Sequence, residues 1–293
     1  MPDFLTGSEL SRTELEALLT RAEELKHAPL SSNILAGRAV ALIFERPSTR
    51  TRVSFEAGVA ELGGHPMILR SDEMQLSRGE SVRDTALVLS RHVAAIGIRT
   101  GPDPLVSELA RHATVPVINM LTALHHPCQA LADLQTLKQT FGELEGLRVG
   151  YVGDGNNVAR SLATLGGSAG VQVTIASPRG YELEPVAGAL LTTEPIEAAY
   201  EADALYTDVW VSMNDSPASA AARREALAPY RLDEQLLARA KPTAIVLHCL
   251  PAHPGEEITE GLLYGDRQRI WDQAENRRHA QKALLELLVS SVG

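Results

Sequence analysis

Short apolar runs alternate with helix-patterned stretches along nearly the whole chain, and this alternation restricts the fold more than any single motif. Four runs, 39–44, 66–70, 93–98 and 115–120, lie in the first half; 148–153, 171–176, 204–210 and 243–248 lie in the second. Runs of this length, bounded by turn residues, read as buried strands. With helical patterns between them, they predict an α/β chain of parallel sheets covered by helices on both faces, in two groups of similar build.

The helical stretches carry their own signals. Ser11 followed by Glu14 is a capping-box pair ahead of a face built from Leu15, Leu18, Leu19, Ala22 and Leu25. Cys128 to Phe141 places Leu131, Leu134, Leu137 and Phe141 on one side, which predicts a helix bridging the two strand groups. From about Asp272 onward, Ala280, Ala283, Leu284, Leu287 and Leu288 recur at helical spacing, and such an amphipathic segment must dock on another element.

At 293 residues the chain can bury a large core. Its formal net charge of −10 argues against nucleic acid and anionic membranes, which select basic surfaces, but allows a local basic site for an anionic substrate. Cys128 and Cys249 are the only cysteines, a usage that suits a reducing compartment rather than a disulfide scaffold. Met1 to Leu5 lacks the layout of a secretion signal, and no apolar run is long enough to span a bilayer. The expected location is the cytoplasm.

Ligands of doubly wound sheets bind beyond the carboxyl ends of the strands, so those positions narrow the search for chemistry. After the first run comes Ser48-Thr49-Arg50-Thr51, where Pro47 ends the strand and a helix begins. A helix start offering free N–H groups, three hydroxyls and a guanidinium suits a doubly charged phosphate, although an ordinary cap with solvated arginines reads the same way. Arg99 follows the third run, and His125-His126-Pro127-Cys128-Gln129 the fourth. Together these suit a phosphate and a polarised carbonyl. The second half offers Asp154 to Asn157, Asp208 to Met213 and His248-Cys249-Leu250-Pro251, whose carboxylate, amide and thiol groups suit an amino acid.

Two other readings of these motifs fare worse. Gly153-Asp154-Gly155-Asn156-Asn157-Val158 follows a strand as a dinucleotide loop does, but Val158 stands where the third glycine belongs, and the next run ends in Ala176-Ser177 without a ribose-binding acid. His248, Cys249 and His253 lack a second ligand pair, and Pro251 interrupts them, so no metal is expected. Cys249 on its own also reads as a small buried hydrophobe.

Ser48-Thr49-Arg50-Thr51, His126-Pro127-Cys128-Gln129, Asp208-Val209-Trp210-Val211-Ser212-Met213, His248-Cys249-Leu250-Pro251 and Asp272-Gln273-Ala274-Glu275-Asn276-Arg277 together resemble the signatures of ornithine carbamoyltransferases, within the aspartate/ornithine carbamoyltransferase family. The first motif is common to carbamoyltransferases and concerns carbamoyl phosphate. Asp208 with Ser212-Met213, and the Cys-Leu-Pro turn, point to ornithine rather than aspartate as acceptor. The resemblance implies a carbamoyl-phosphate domain over 1–132, joined by a returning C-terminal helix, 273–293, and an ornithine domain over 133–272. It implies carbamoyl transfer to the δ-amine of L-ornithine without a cofactor, within arginine biosynthesis.

The residue roles follow from the same resemblance. Ser48, Thr49, Arg50 and Thr51 would hold the phosphate, and Arg99 would span phosphate and carbonyl oxygen. His126, Pro127, Cys128 and Gln129 would belong to the carbamoyl-phosphate site, His126 and Gln129 binding the carbamoyl group, with Arg277 completing the pocket. Asn157, Asp208, Ser212 and Met213 would bind ornithine, with Cys249 and Leu250 at the junction of the substrates. Gln75 matches a residue lent to a neighbouring subunit, which implies a homotrimer. Arg50, Arg99, His126 and Cys249 form the implied catalytic set.

The pattern departs from the family at three places. Asn214 stands where glycine is usual, Pro254 stands where arginine is expected, and the stretch from Pro178 to Thr193 is short, which predicts a trimmed helix. The alternatives are a carbamoyltransferase for another amine, such as putrescine or an N-acylated ornithine, and a non-catalytic binding paralogue.

Overall fold

In the computed structural model, which describes residues 3–211 and 216–291, the chain divides into two units, Met1–Gln135 with Glu275–Gly293, and Thr136–Ala274. The helix Pro127–Phe141 runs from the first into the second, and the helix Ile270–Ser290 begins in the second and ends in the first.

The first unit is built on a four-stranded sheet in the order β2-β1-β3-β4, with β1 Ala39–Phe44, β2 His65–Arg70, β3 Ala95–Arg99 and β4 Val117–Leu121. All neighbours are parallel. β1 and β3 register from Val40 opposite Ala95 to Phe44 opposite Arg99, so their carboxyl ends finish level. Ala41, Ile43, Ile96, Ile98 and Val117 pack with Ala86, Val106 and Leu109 from the covering helices. The third and fourth strands start two residues later than the apolar runs 93–98 and 115–120 do: Val93 is buried below the sheet edge, and Pro116 has no N–H to give a ladder.

Helix Arg12–His27 opens on the Ser11–Glu14 capping box and buries Leu15, Leu18, Leu19, Ala22 and Leu25. The C-terminal helix docks in this unit. Lys282, 0% exposed, donates to the carbonyls of Leu25 and Pro29 and pairs with Glu61. A Cβ at Gly58 would come within 3.2 Å of the Lys282 side chain, so the glycine permits this close approach.

The second unit carries a five-stranded parallel sheet in the order β7-β6-β5-β8-β9. Its strands are β5 Arg148–Val152, β6 Gln172–Ala176, β7 Ala189–Thr192, β8 Ala204–Thr207 and β9 Ile245–His248. Strand β7 is an addition to the four runs expected here. It lies inside the short 178–193 stretch, and as an edge strand it leaves Leu190 70% exposed, so its sequence shows no buried pattern. Strand β8 ends at Thr207, opposite His248, rather than running to residue 210. Asp208 and Cys249 therefore both stand just past the carboxyl edge. No helix among the described residues is long and apolar enough to cross a membrane.

Candidate active site

The site residues fall into two groups, one in each unit. In the first, helix Arg50–Glu61 starts directly after β1, and its N-cap, Thr49, makes no side-chain capping hydrogen bond. Ser48 and Arg50 are half-buried, Thr49 is exposed and Thr51 is buried. Thr51 is the meeting point. Its Oγ1 accepts from Arg99 Nη1 at 3.3 Å and from Arg277 Nη2 at 2.9 Å. The other arm of Arg277 donates to Gln129 Oε1 at 2.6 Å and to His126 Nε2 at 3.3 Å. One buried guanidinium thus ties the C-terminal helix to the starts of two others.

Arginine is only a donor, so His126 Nε2 accepts and the ring proton sits on Nδ1. Burial, reinforced by Arg277, Arg99 and Arg50, holds the pKa of His126 well below the usual histidine value. The imidazole is therefore neutral at physiological pH and works as a dipole rather than a cation. Gln129 spends its amide on Asp133 Oδ1 at 2.8 Å. Pro127 is buried. Cys128 is fully buried, donates to the Asn119 carbonyl at 3.4 Å, and has its thiol pushed up to about 12 by burial. Its side chain is packing, so any ligand contact there belongs to the backbone. Gln75 lies apart, on the exposed 3-10 turn Gln75–Arg78, and its side chain makes no hydrogen bond among the described residues.

The second group gathers at Asp208. Its Oδ1 accepts from the Cys249 thiol at 2.8 Å and from the Val209 N–H at 2.8 Å, and its Oδ2 accepts from Asn156 Nδ2 at 2.7 Å. Asn156 is also the N-cap of helix Asn157–Ser168. Asn157, the neighbour named from the family pattern, is the first residue of that helix and half-buried. Ser212 and Met213, with Asn214, lie outside the described residues. Gly155 is needed for packing rather than for a nucleotide: a Cβ there would fall 2.2 Å from the Leu183 nitrogen, and its N–H donates to the Tyr181 carbonyl.

Behind Cys249, His248 and Glu257 form a pair with both side chains 0% exposed. His248 Nε2 donates to Glu257 Oε1 at 3.1 Å, while Nδ1 accepts the Leu250 N–H at 2.8 Å. Burial opposes the charge on Glu257, but the hydrogen bonds from His248 and the His253 N–H outweigh it, and its pKa falls below the ordinary value. This clamp holds Leu250 at φ +60°, a conformation unusual for a side chain branched like leucine. Donor atoms of Asp208, His248 and Cys249 lie within 4.8 Å of one another, and the hydrogen bonds just given engage all three.

Glu257 is a functional candidate that the sequence leaves unmarked, and Asn156, inside the Asp154 to Asn157 stretch, is given no role of its own by the sequence reading. Asn156 carried a usable signal, an Asn directly before an apolar-periodic helix. Glu257 carried none, because nothing local marks an acid in a loop as buried.

Residues 2–139 match the family model for the aspartate/ornithine carbamoyltransferase carbamoyl-P binding domain, and residues 145–288 match that for the Asp/Orn binding domain. An ornithine carbamoyltransferase of Acidothermus cellulolyticus is 50% identical over 304 residues, covering 99% of this chain and 97% of its own. Solved ornithine carbamoyltransferases of Pyrococcus furiosus (42% identity, TM-score 0.93, 98% and 97% covered) and Thermus thermophilus (45%, 0.91, 98% and 99%) share the fold over essentially their whole length. The chain belongs to the aspartate/ornithine carbamoyltransferase family.

Proposed function

We propose that the chain transfers the carbamoyl group of carbamoyl phosphate to the δ-amine of L-ornithine, giving L-citrulline and phosphate. The observation that carries this reading is the division of charge. One unit gathers Arg50, Arg99 and Arg277 around a neutral His126, and the other presents the Asp208 carboxylate. The first suits a phosphate dianion and the carbonyl it activates. The second suits an acceptor with an α-ammonium group and no second acid in its side chain. Aspartate would set its own carboxylates near Asp208, and putrescine has no α-carboxylate to bind. Relatives named ornithine carbamoyltransferase support the same choice.

In the reaction, the deprotonated δ-amine attacks the carbamoyl carbon. The C–N bond forms, the C–O bond to phosphate breaks, and the amine proton passes to the departing phosphate or to solvent. Ser48, Thr49, Arg50 and Thr51 bind the phosphate. Arg99 and Arg277 balance charge on phosphate and carbonyl oxygen, and His126 and Gln129 orient the carbamoyl group. Asn157, Asp208, Ser212 and Met213 hold ornithine, and Cys249 and Leu250 position the amine. Much of the acceleration of a two-substrate transfer comes from orientation. Gln75 acts on a neighbouring copy's site within a homotrimer. The enzyme serves arginine biosynthesis in the cytoplasm. Phosphate release and formation of the matching carbamoylated product, measured side by side with ornithine, N-acetylornithine, putrescine and aspartate, test the assignment: ornithine is expected to be used best, and equal or better use of another acceptor would overturn it.

A further inference from the structure

The amino ends of β1 and β3 open on a pocket of about 360 Å³, at the opposite edge of the sheet from Arg99. Its rim carries Arg38, Arg91 and His92, its floor includes Val93, Val115 and Val289, and no lining residue is acidic. Arg38 and Arg91, both exposed, form no ion pair or side-chain hydrogen bond among the described residues.

Both arginines stand on fixed backbone. The Arg38 carbonyl accepts the His65 N–H where β1 and β2 begin, and the N–H groups of Arg91 and His92 bond the carbonyls of Val88 and Leu89 at the close of a helix. Two arginines without a carboxylate partner among the described residues, lining one pocket with buried Val93 and Val289 in a chain of formal net charge −10, suit an oxyanion attached to a short hydrocarbon body. We propose that this pocket binds a small organic anion, a carboxylate or phosphate monoester on a short aliphatic chain, with Arg38 and Arg91 clamping the acid group. The length of β1, at about 3.3 Å per residue, places the pocket roughly 20 Å from Ser48, so the ligand does not share the carbamoyl-phosphate position.

Calorimetric titration with glutarate and with propyl phosphate tests the proposal on the full-length protein, on Arg38→Ala/Arg91→Ala, on Arg91→Glu and on Arg50→Ala. At least one anion is expected to bind the parent at millimolar concentration or below, to bind tenfold or more weakly to both pocket variants, and to bind Arg50→Ala as it does the parent. Which of the two binds identifies the head group. The proposal is overturned if neither anion binds the parent, if binding survives both pocket variants, or if it disappears in Arg50→Ala, which would place the anion in the phosphate cradle.

Discussion

Asn156 and Asp208 are joined by a 2.7 Å hydrogen bond from the asparagine amide to the carboxylate. The same asparagine turns its oxygen to the N–H groups of Val158 and Ala159, at 2.9 and 3.1 Å, and so caps the helix that follows. Its two ends cannot be exchanged without losing both contacts, so the start of the helix fixes the amide donor on Asp208 Oδ2, while Cys249 and the Val209 N–H hold Oδ1.

Replacing Asn156 should therefore separate capping from orientation. Asn156→Asp keeps an acceptor for the cap but sets a second carboxylate against Asp208. Its kcat/KM for ornithine should fall at least tenfold, and its stability should fall most at neutral pH, where both carboxylates carry charge. Asn156→Ala should also lose about 1 kcal/mol of stability as a missing cap. Unchanged ornithine kinetics in both variants would show that Asn156 does not orient Asp208.

Asp208→Ala removes the carboxylate itself. A charged hydrogen bond worth about 2–3 kcal/mol corresponds to roughly a hundredfold in kcat/KM for ornithine. The dissociation constant of carbamoyl phosphate should barely change. Equal losses for both substrates would point to general damage.

Arg50→Ala takes a guanidinium from the phosphate cradle. Transition-state stabilisation should drop by about 2–4 kcal/mol with the fold intact by circular dichroism. Activity within a few-fold of the parent would remove Ser48 to Thr51 from the phosphate site.

Cys249 donates its thiol proton to Asp208, an arrangement that positions the group rather than freeing a thiolate. Cys249→Ser should raise the KM for ornithine modestly and leave the reaction running. Intact-mass spectrometry during turnover should find no carbamoyl adduct. An adduct that forms and decays at the catalytic rate would make Cys249 a nucleophile.

Stability should respond to pH through His279. Burial, with Lys282 and Arg278 close by, lowers its pKa to about 4, against about 6.5 for an unfolded histidine. Between those values the unfolded chain binds a proton that the folded protein refuses, so stability falls as pH drops below about 6.5 and levels off below about 4. The full span corresponds to about 3 kcal/mol, and about 2 kcal/mol at pH 5. Urea titrations of the parent and His279→Gln at pH 7.5 and 5 should show a shallower loss in the variant. His126 is shifted in the same direction, so some slope should remain. Equal slopes would contradict the assignment to His279.

Local pattern alone determined the alternation of strands and helices, the Ser11 cap and the positions at or past the strand ends where Arg99, Thr51, Asp208 and Cys249 stand. Burial on both faces of a parallel sheet demands unbroken apolar runs, and such runs are visible in the chain itself. Edge strand β7 escaped because its side chains are not buried. Tertiary structure alone decided that Arg277 meets Thr51, 226 residues away in sequence. It likewise decided that Cys128 is packing, that Asn156 grips Asp208 and that Glu257 lies buried under His248. Each of these depends on which distant group a polar atom meets once water is excluded, and no periodicity along a chain records that.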